Sequence, residues 1–165
     1  MANYCSINGT ITLKNSQEAE HLCTCIEEAL DSASGYLDFG GEAGLLESNF
    51  HVDDNVIRCS FDVKWALDQE DMAQFVRWLG QYVPVANMVI DLRYEELGCM
   101  VIGRYELHDC VLTDYFVPEN EFPPYPEIKD NDDKDEIFDS YMNELYELVE
   151  LAEGETVCDF HEKCA

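Results

Sequence analysis

NYCSINGTITLK, residues 3–14, alternates polar residues with apolar or small ones without a break. One side of the extended chain carries Cys5, Ile7, Gly9, Ile11 and Leu13. A period of two residues is typical of a β-strand that has one buried face. The stretch therefore predicts a strand that opens the fold and packs against a core.

Two helices in the N-terminal part are indicated by capping residues followed by apolar stripes. Asn15 and Glu18 form a capping-box pattern, and the helix it opens runs to about Asp31. Asp68 is a suitable cap for a second helix, whose apolar stripe stops at Pro84.

Four further segments alternate in the same way as the first strand. They are VIRCSFDVKW (56–65), NMVIDLRYEE (87–96), CMVIGRYEL (99–107) and CVLTDYFV (110–117). The glycine-rich stretch 35–50 has no clear period and predicts a loop with a short strand around Tyr36 to Phe39 or Leu45 to Phe50. The order of elements predicts an α+β domain over residues 1–117. We expect a ferredoxin-like split βαβ fold, with an antiparallel-rich sheet and two helices on one face.

The composition changes at Pro118. The segment 118–136 carries four of the five prolines and predicts an extended connector. An apolar stripe from Ile137 to Ala152 then predicts an amphipathic helix, so residues 118–165 form an acidic connector and a C-terminal helix. Such a helix docks on its own domain, covers the second face of the sheet, or forms a dimer or partner interface.

The net charge restricts the possible partners. Among 165 residues, 36 are acidic and nine basic, giving a formal charge of -27. Direct binding to nucleic acid or to an anionic membrane requires positive charge, so both are excluded as functions. A basic protein groove, a polyamine or a metal ion fits this charge, and so does a surface that only maintains solubility.

Two features indicate a cytoplasmic protein. No run of about 18 apolar residues is present, and MANYCSINGT lacks the pattern of a signal peptide. The eight cysteines are therefore expected to be reduced, and most of them to be small core residues.

The negative charge is concentrated near the C-terminal end. Residues 118–165 contain sixteen acidic and three basic residues, a net -13. On a helix, carboxylates three or four residues apart stand about 5 to 6 Å from one another. We expect partner-binding residues at Asp130, Asp132, Asp133, Asp135, Glu136, Asp139, Glu147 and Glu150. The first helix offers a second acidic face at Glu20, Glu27, Glu28 and Asp31.

The basic residues on the predicted strands suggest how the acidic segment is held. Arg58, Lys64, Arg93 and Arg104 fall mostly on the faces opposite the apolar rows. We expect them to pair with the acidic segment, at about 0 to 1 kcal/mol for each exposed pair.

Metal sites and catalytic groups are only weakly indicated. Lys134 and Asp135 stand where an EF-hand calcium loop requires Asp or Asn and then Gly. Cys158, His161 and Cys164 supply three potential zinc ligands without a visible fourth. Cys110 and His108 are the nearest approach to a nucleophile and its base. We expect no enzymatic activity, no cofactor and no metal.

Three features resemble a known family: the opening NYCSINGTITL, the strand–helix–strand–helix order after it, and the late hairpin ELGCMVIGRYELHDC. Over residues 1–117 the chain is similar to the YubB-type ferredoxin-like domain family, which is encoded largely on plasmids and phages. The resemblance implies a ferredoxin-like fold and a mobile-element setting, and it implies no catalytic residues.

Together, the charge and the resemblance favour an inhibitor of a host defence nuclease, of anti-CRISPR or anti-restriction type. It would mimic nucleic acid in a basic groove, and its binding would weaken with salt. The alternative is a non-enzymatic interaction or self-association module, possible as a homodimer, that uses the apolar stripe of the C-terminal helix or the aromatic residues Phe122, Tyr125 and Phe138. Binding of that kind would be nearly independent of salt and would be lost on substitution of Leu145 or Leu148.

Overall fold

The structure, a computed structural model, describes residues 4–33, 37–38, 44–64, 67–96, 99–129 and 133–161. Its strands are β1 (Tyr4–Leu13), β2 (Leu37–Asp38), β3 (Gly44–Asp53), β4 (Val56–Lys64), β5 (Met88–Glu96), β6 (Val101–His108), β7 (Val111–Phe116) and β8 (Glu155–Asp159). Its α-helices are α1 (Ser16–Ser32), α2 (Gln69–Leu79) and α3 (Lys134–Leu151).

All eight strands belong to one antiparallel sheet, in the order β2-β3-β4-β1-β5-β6-β7-β8. The strand predicted from the opening alternation is central, because β1 pairs with β4 on one side and β5 on the other. Ile7, for example, lies opposite Phe61 on β4 and Tyr94 on β5.

The predicted ferredoxin-like split βαβ fold is wrong. That arrangement accounts for only four of the eight strands of this sheet. The remaining strands extend the sheet at both ends, because β2 pairs with β3, and β6, β7 and β8 continue outward from β5. Residues 118–161 also belong to this architecture, since they contribute the edge strand β8 and the helix α3.

The sheet is covered on both faces, by different helices. Helices α1 and α2 bury their apolar sides in one large core, to which β5 contributes Met88, Ile90, Leu92 and Tyr94. The alternate β5 residues Arg93 and Glu95 contact α3 instead. Because successive side chains of a strand point to opposite faces, α3 lies on the face opposite α1 and α2.

The predicted helix starts are confirmed at atomic detail. The Asn15 side chain accepts a hydrogen bond from the backbone N–H of Glu18 at 2.9 Å, and that of Asp68 accepts one from Asp71 at 2.8 Å.

Within the described ranges, no helix has the length and apolar character that a membrane span requires.

The structure lengthens one predicted strand and adds another. Both places at which the stretch 35–50 predicts a short strand contain one, as β2 and β3, but β3 has ten residues, runs to Asp53 and pairs with β4. A register shift between Leu46 and Ser48 interrupts the alternation that would have revealed it. Strand β8 was not predicted, because it has only five residues and pairs with β7 across a bulge.

Glycine is required at position 9, in the middle of the central strand. Its φ is +158°, and a Cβ built there would collide with the backbone carbonyl oxygen of Asp91 on β5. The absence of a side chain therefore allows β1 and β5 to approach at this point.

Candidate partner-binding site

The acidic helix α3 begins at an aspartate cap. The Asp133 carboxylate accepts hydrogen bonds from the backbone N–H groups of Asp135 at 3.1 Å and Glu136 at 3.2 Å. Those two residues lie in the first turn, where the helix dipole favours negative charge. Of the residues predicted to bind a partner, Asp133 therefore caps the helix, and Asp130 and Asp132 lie outside the described residues.

The apolar side of α3 packs on the sheet of its own chain. Together with sheet residues, it forms a second core of Ile102, Val117, Tyr141, Met142, Leu145 and Val149. Complete burial of a Leu or Val side chain contributes roughly 1.5 to 3 kcal/mol, so this contact holds the helix firmly. Of the alternatives that the sequence left open for this helix, docking on its own domain over the second face of the sheet is observed, and the sheet covers most of the apolar stripe.

Two arginines of the sheet hold the C-terminal part of α3. Arg93 donates to Glu150 Oε1 at 2.7 Å, and Arg104 donates to Glu150 Oε2 at 3.3 Å. The predicted pairing of strand arginines with the acidic segment is confirmed for these two residues, whereas Arg58 pairs with Asp53 instead. Glu150, expected to bind a partner, is thus already engaged within the chain.

Glu150→Gln is expected to lower the free energy of unfolding by no more than about 1 kcal/mol in low salt, because the carboxylate is half-exposed and water screens the pairs. The difference from wild type should shrink in 1 M salt, where the Debye length falls to about 3 Å. Urea unfolding of both proteins in low salt and in 1 M salt measures this difference in the free energy of unfolding. A larger loss that is insensitive to salt would mean that packing, and not charge, is involved.

The outer side of α3 presents an acidic row, which we define as Glu136, Asp139 and Glu147. All three side chains are exposed, and in the described part of the chain none of them takes part in an ion pair. Their spacing places them on one side of the helix, over a length of about 16 Å at 1.5 Å per residue. Asp135, also predicted, is exposed in the first turn.

The acidic face of α1 is separate from the acidic row. Glu20, Glu28 and Asp31 are exposed there. Helix α1 packs into the large core, however, so it lies on the other face of the sheet from α3. A single flat partner cannot contact both acidic faces at once.

The structure encloses two cavities that the sequence alone does not show. One is an aromatic cavity between the segment after β7 and the first half of α3. The other is a smaller cavity of about 260 Å³ at the start of α2, lined in part by Tyr94, Tyr105 and Asp114. The sequence predicts Phe122, Tyr125 and Phe138 as partner-binding residues under the alternative function, and the fold shows that they share one cavity.

Asp114 is a buried carboxyl in the smaller cavity, with 5% of its surface exposed. Tyr94 donates to one of its oxygens at 2.8 Å and Gln69 donates to the other at 3.1 Å. Burial raises the pKa of Asp114 above its ordinary value, and the two hydrogen bonds act in the opposite direction. The Tyr94 hydroxyl reaches Asp114 across β6 at Gly103, where a Cβ would collide with the tyrosine ring.

Asp114→Asn tests this buried carboxyl through the pH dependence of stability. In the wild type the folded state binds the proton more tightly than the unfolded chain, because the folded pKa is raised. We therefore expect the stability of the wild type, relative to Asp114→Asn, to rise as pH falls from 7 toward the unfolded pKa of about 3.9. Urea unfolding of both proteins across that range measures the difference. A constant difference, or one of the opposite sign, would contradict the raised pKa.

The structure does not assemble the potential zinc ligands. Cys158 belongs to strand β8 and not to a helical turn, and the Arg77 guanidinium lies 3.8 Å from its sulfur. His161 donates to Asp159, and its N–H groups lower the pKa of that carboxyl. Cys164 lies outside the described residues, as does Asp130 of the calcium-loop pattern. Among the described residues, no group of three or more His, Cys, Asp or Glu is arranged to hold a metal ion.

His108 ends β6, and Cys110 lies in the turn between β6 and β7. Cys110 is buried with φ 62°, whereas His108 is exposed and contacts Asp109 at 3.2 Å. Of the seven cysteines that the structure describes, four are buried: Cys5, Cys23, Cys59 and Cys110.

A scan against protein-family models, a search of curated proteins and a search of solved structures each found no match to this chain. Its function is therefore inferred from its own residues and their geometry.

Proposed function

We propose that this chain is a non-enzymatic cytoplasmic inhibitor that binds the basic nucleic-acid groove of a defence nuclease by acidic mimicry. The observation that carries the proposal is the acidic row, which is exposed on a helix docked firmly on the sheet. A nuclease groove that binds phosphates is lined with Lys and Arg, and a row of carboxylates can occupy it in place of the nucleic acid.

The docking of α3 supports mimicry because it orders the carboxylates before binding. The second core and the ion pairs of Glu150 fix the helix against the sheet. A partner that binds such a surface does not have to order a flexible segment, and that saves conformational entropy. A firmly held acidic surface also steers a basic protein toward it at a high association rate.

The overall charge supports a protein as the partner. With a formal charge of -27 the chain repels nucleic acid and attracts proteins that bind it. The sequence motifs of residues 1–117 resemble a family encoded on plasmids and phages, although no family model matches the chain, and on that resemblance we propose a target that attacks such elements. A CRISPR effector or a restriction enzyme is the class of target that we propose.

The test is capture from bacterial lysate on the immobilised chain, with two separate elutions. A salt gradient releases electrostatic partners, and an excess of duplex DNA or RNA releases proteins whose groove is blocked. We expect a nuclease or effector in both eluates, and we expect the purified target to be inhibited competitively with its nucleic-acid substrate. A captured protein that resists both elutions, or an inhibition that excess substrate does not relieve, would contradict mimicry.

The control for this test is substitution and not truncation. Removal of residues 118–165 would take away α3 and β8, and it would expose Ile102 of the second core. Loss of capture by such a truncation would report misfolding as readily as loss of the acidic row. Charge reversals on the exposed sides of α3 and α1 avoid this difficulty.

A further inference from the structure

The aromatic cavity has a volume of about 450 Å³, within the usual range for a binding pocket. Its lining is formed by Met100, Glu119, Phe122, Pro123, Pro124, Tyr125, Phe138 and Tyr141. Four of these eight residues are aromatic, and Glu119 is the only one with a charged side chain. The cavity is thus an aromatic enclosure with one carboxylate at its wall.

Packing and hydrogen bonding hold the rings in place. Tyr141 is buried and its hydroxyl donates to the backbone carbonyl of Pro123 at 3.2 Å. The rings of Tyr125 and Tyr141 meet edge to face, with centroids 5.0 Å apart. Consecutive prolines at 123 and 124 restrict the backbone of the segment that lines the cavity. The cavity is therefore largely preformed, whereas the outer rings of Tyr125 and Phe138 stay accessible from solvent.

The lining favours a cation. The face of an aromatic ring is electron-rich, and several rings around one space attract a positive group, the more so beside a carboxylate. The surroundings add to this preference, because Phe138 directly precedes Asp139 of the acidic row and Glu119 is exposed at the wall. An uncharged apolar ligand would leave the Glu119 carboxylate without a role.

We propose that this cavity binds the guanidinium of an arginine side chain from the basic partner, and this rests on the proposed function. Arginine is favoured over lysine because its planar, weakly hydrated guanidinium stacks on aromatic rings while donating to a carboxylate. Basic grooves that bind phosphates contain such arginines. The acidic row then supplies negative charge to the groove, and the cavity anchors one arginine beside it.

The probe is Nα-acetyl-L-arginine methylamide, titrated into the full chain with ¹³C-labelled methionine methyl groups. Met100 lines the cavity, and its signal is assigned from the Met100→Leu variant. We expect a saturable shift of the Met100 methyl signal with the arginine probe. We expect none with the citrulline analogue, which has nearly the same shape without the charge. A lysine probe should bind more weakly than the arginine probe.

Two variants on the exposed wall and rim test the chemistry of the cavity. Glu119→Gln and Tyr125→Ala are each expected to weaken binding of the arginine probe roughly two- to fivefold, as loss of an exposed cation–π or charged contact predicts. Tyr4→Ala, which removes an exposed ring from β1, is the matched control and should leave binding unchanged. Equal binding of arginine and citrulline probes, equal binding of arginine and lysine probes, or no saturable shift at Met100 would each overturn the proposal.

This test is independent of the proposed function, because it uses the isolated chain and a small probe. If the chain captures a nuclease through the acidic row but the cavity does not bind the arginine probe, the arginine proposal is wrong and the mimicry proposal stands. If the cavity binds arginine but reversal of the acidic row leaves capture unchanged, only the mimicry is wrong.

Discussion

Simultaneous replacement of Glu136, Asp139 and Glu147 by lysine is expected to lower the affinity for the captured partner by at least about a hundredfold, or about 2.7 kcal/mol. The change removes three exposed carboxylates and places three ammonium groups against a basic groove. Like charges that face each other across an interface cost several kcal/mol, so the loss should exceed the value of the removed contacts alone. The association rate should fall as well, because steering by the acidic row is lost.

The matched control is Glu20→Lys, Glu28→Lys and Asp31→Lys on α1. Both triple variants change the formal charge from -27 to -21, since each substitution adds two units. Both also affect exposed residues spaced over a similar length of helix. Binding kinetics at low and high salt should show a large loss for the α3 variant and a loss of less than about tenfold for the α1 variant. Equal losses would indicate only a general charge effect, and no loss in either would rule out the acidic row as the binding surface.

Gly9→Ala is expected to lower the free energy of unfolding by roughly 2 to 5 kcal/mol, which combines an overpacked contact with a strained backbone. The new Cβ would press against the carbonyl oxygen of Asp91 and the Cα of Leu92. Both atoms belong to the backbone of β5, whose pairing with β1 and β6 leaves no room for them to move aside. The φ of +158° adds to the cost, because residues with a side chain rarely adopt it.

Urea unfolding followed by far-UV circular dichroism measures the effect of Gly9→Ala. Asn8→Ala is the control, because Asn8 is the neighbouring residue on β1 and its side chain is exposed. Substitution of an exposed residue away from special features usually changes stability by about 0.5 kcal/mol or less. Similar midpoints for the two variants would mean that β1 and β5 separate at this position without cost. Strand β5 also carries Arg93, which pairs with Glu150, so a distorted β5 should weaken the contact between the sheet and α3 as well.

The local elements follow directly from the sequence. A strict alternation of two residues predicted β1, β4, β5, β6 and β7, and an Asn or Asp before an apolar stripe predicted the starts of α1 and α2. These features depend on residues close together in the chain, where the backbone geometry and the first hydrogen bonds of a helix are set. The basic residues opposite the apolar rows likewise predicted the pairing of Arg93 and Arg104 with the acidic segment.

The size of the sheet does not follow from such local patterns. A strand as short as β8, or one as irregular as β3, is stabilised by the strand beside it and not by its own sequence. Strand order is a matter of long-range pairing, which alternation does not encode. The ferredoxin-like prediction failed for this reason: alternation predicted β6 and β7 but not their position outward from β5, and it predicted neither β8 nor the full length of β3.

The sequence by itself determined that this chain is strongly acidic, that its charge is concentrated after residue 117, and that an amphipathic helix carries much of it. Only the tertiary structure decided which carboxylates are free to face a partner. Asp133 caps α3 and Glu150 pairs with two arginines, whereas the acidic row remains exposed. It also decided that aromatic residues from two segments enclose one cavity. The physical reason is that charge is a property of each residue, while exposure and enclosure depend on what the rest of the chain packs against it.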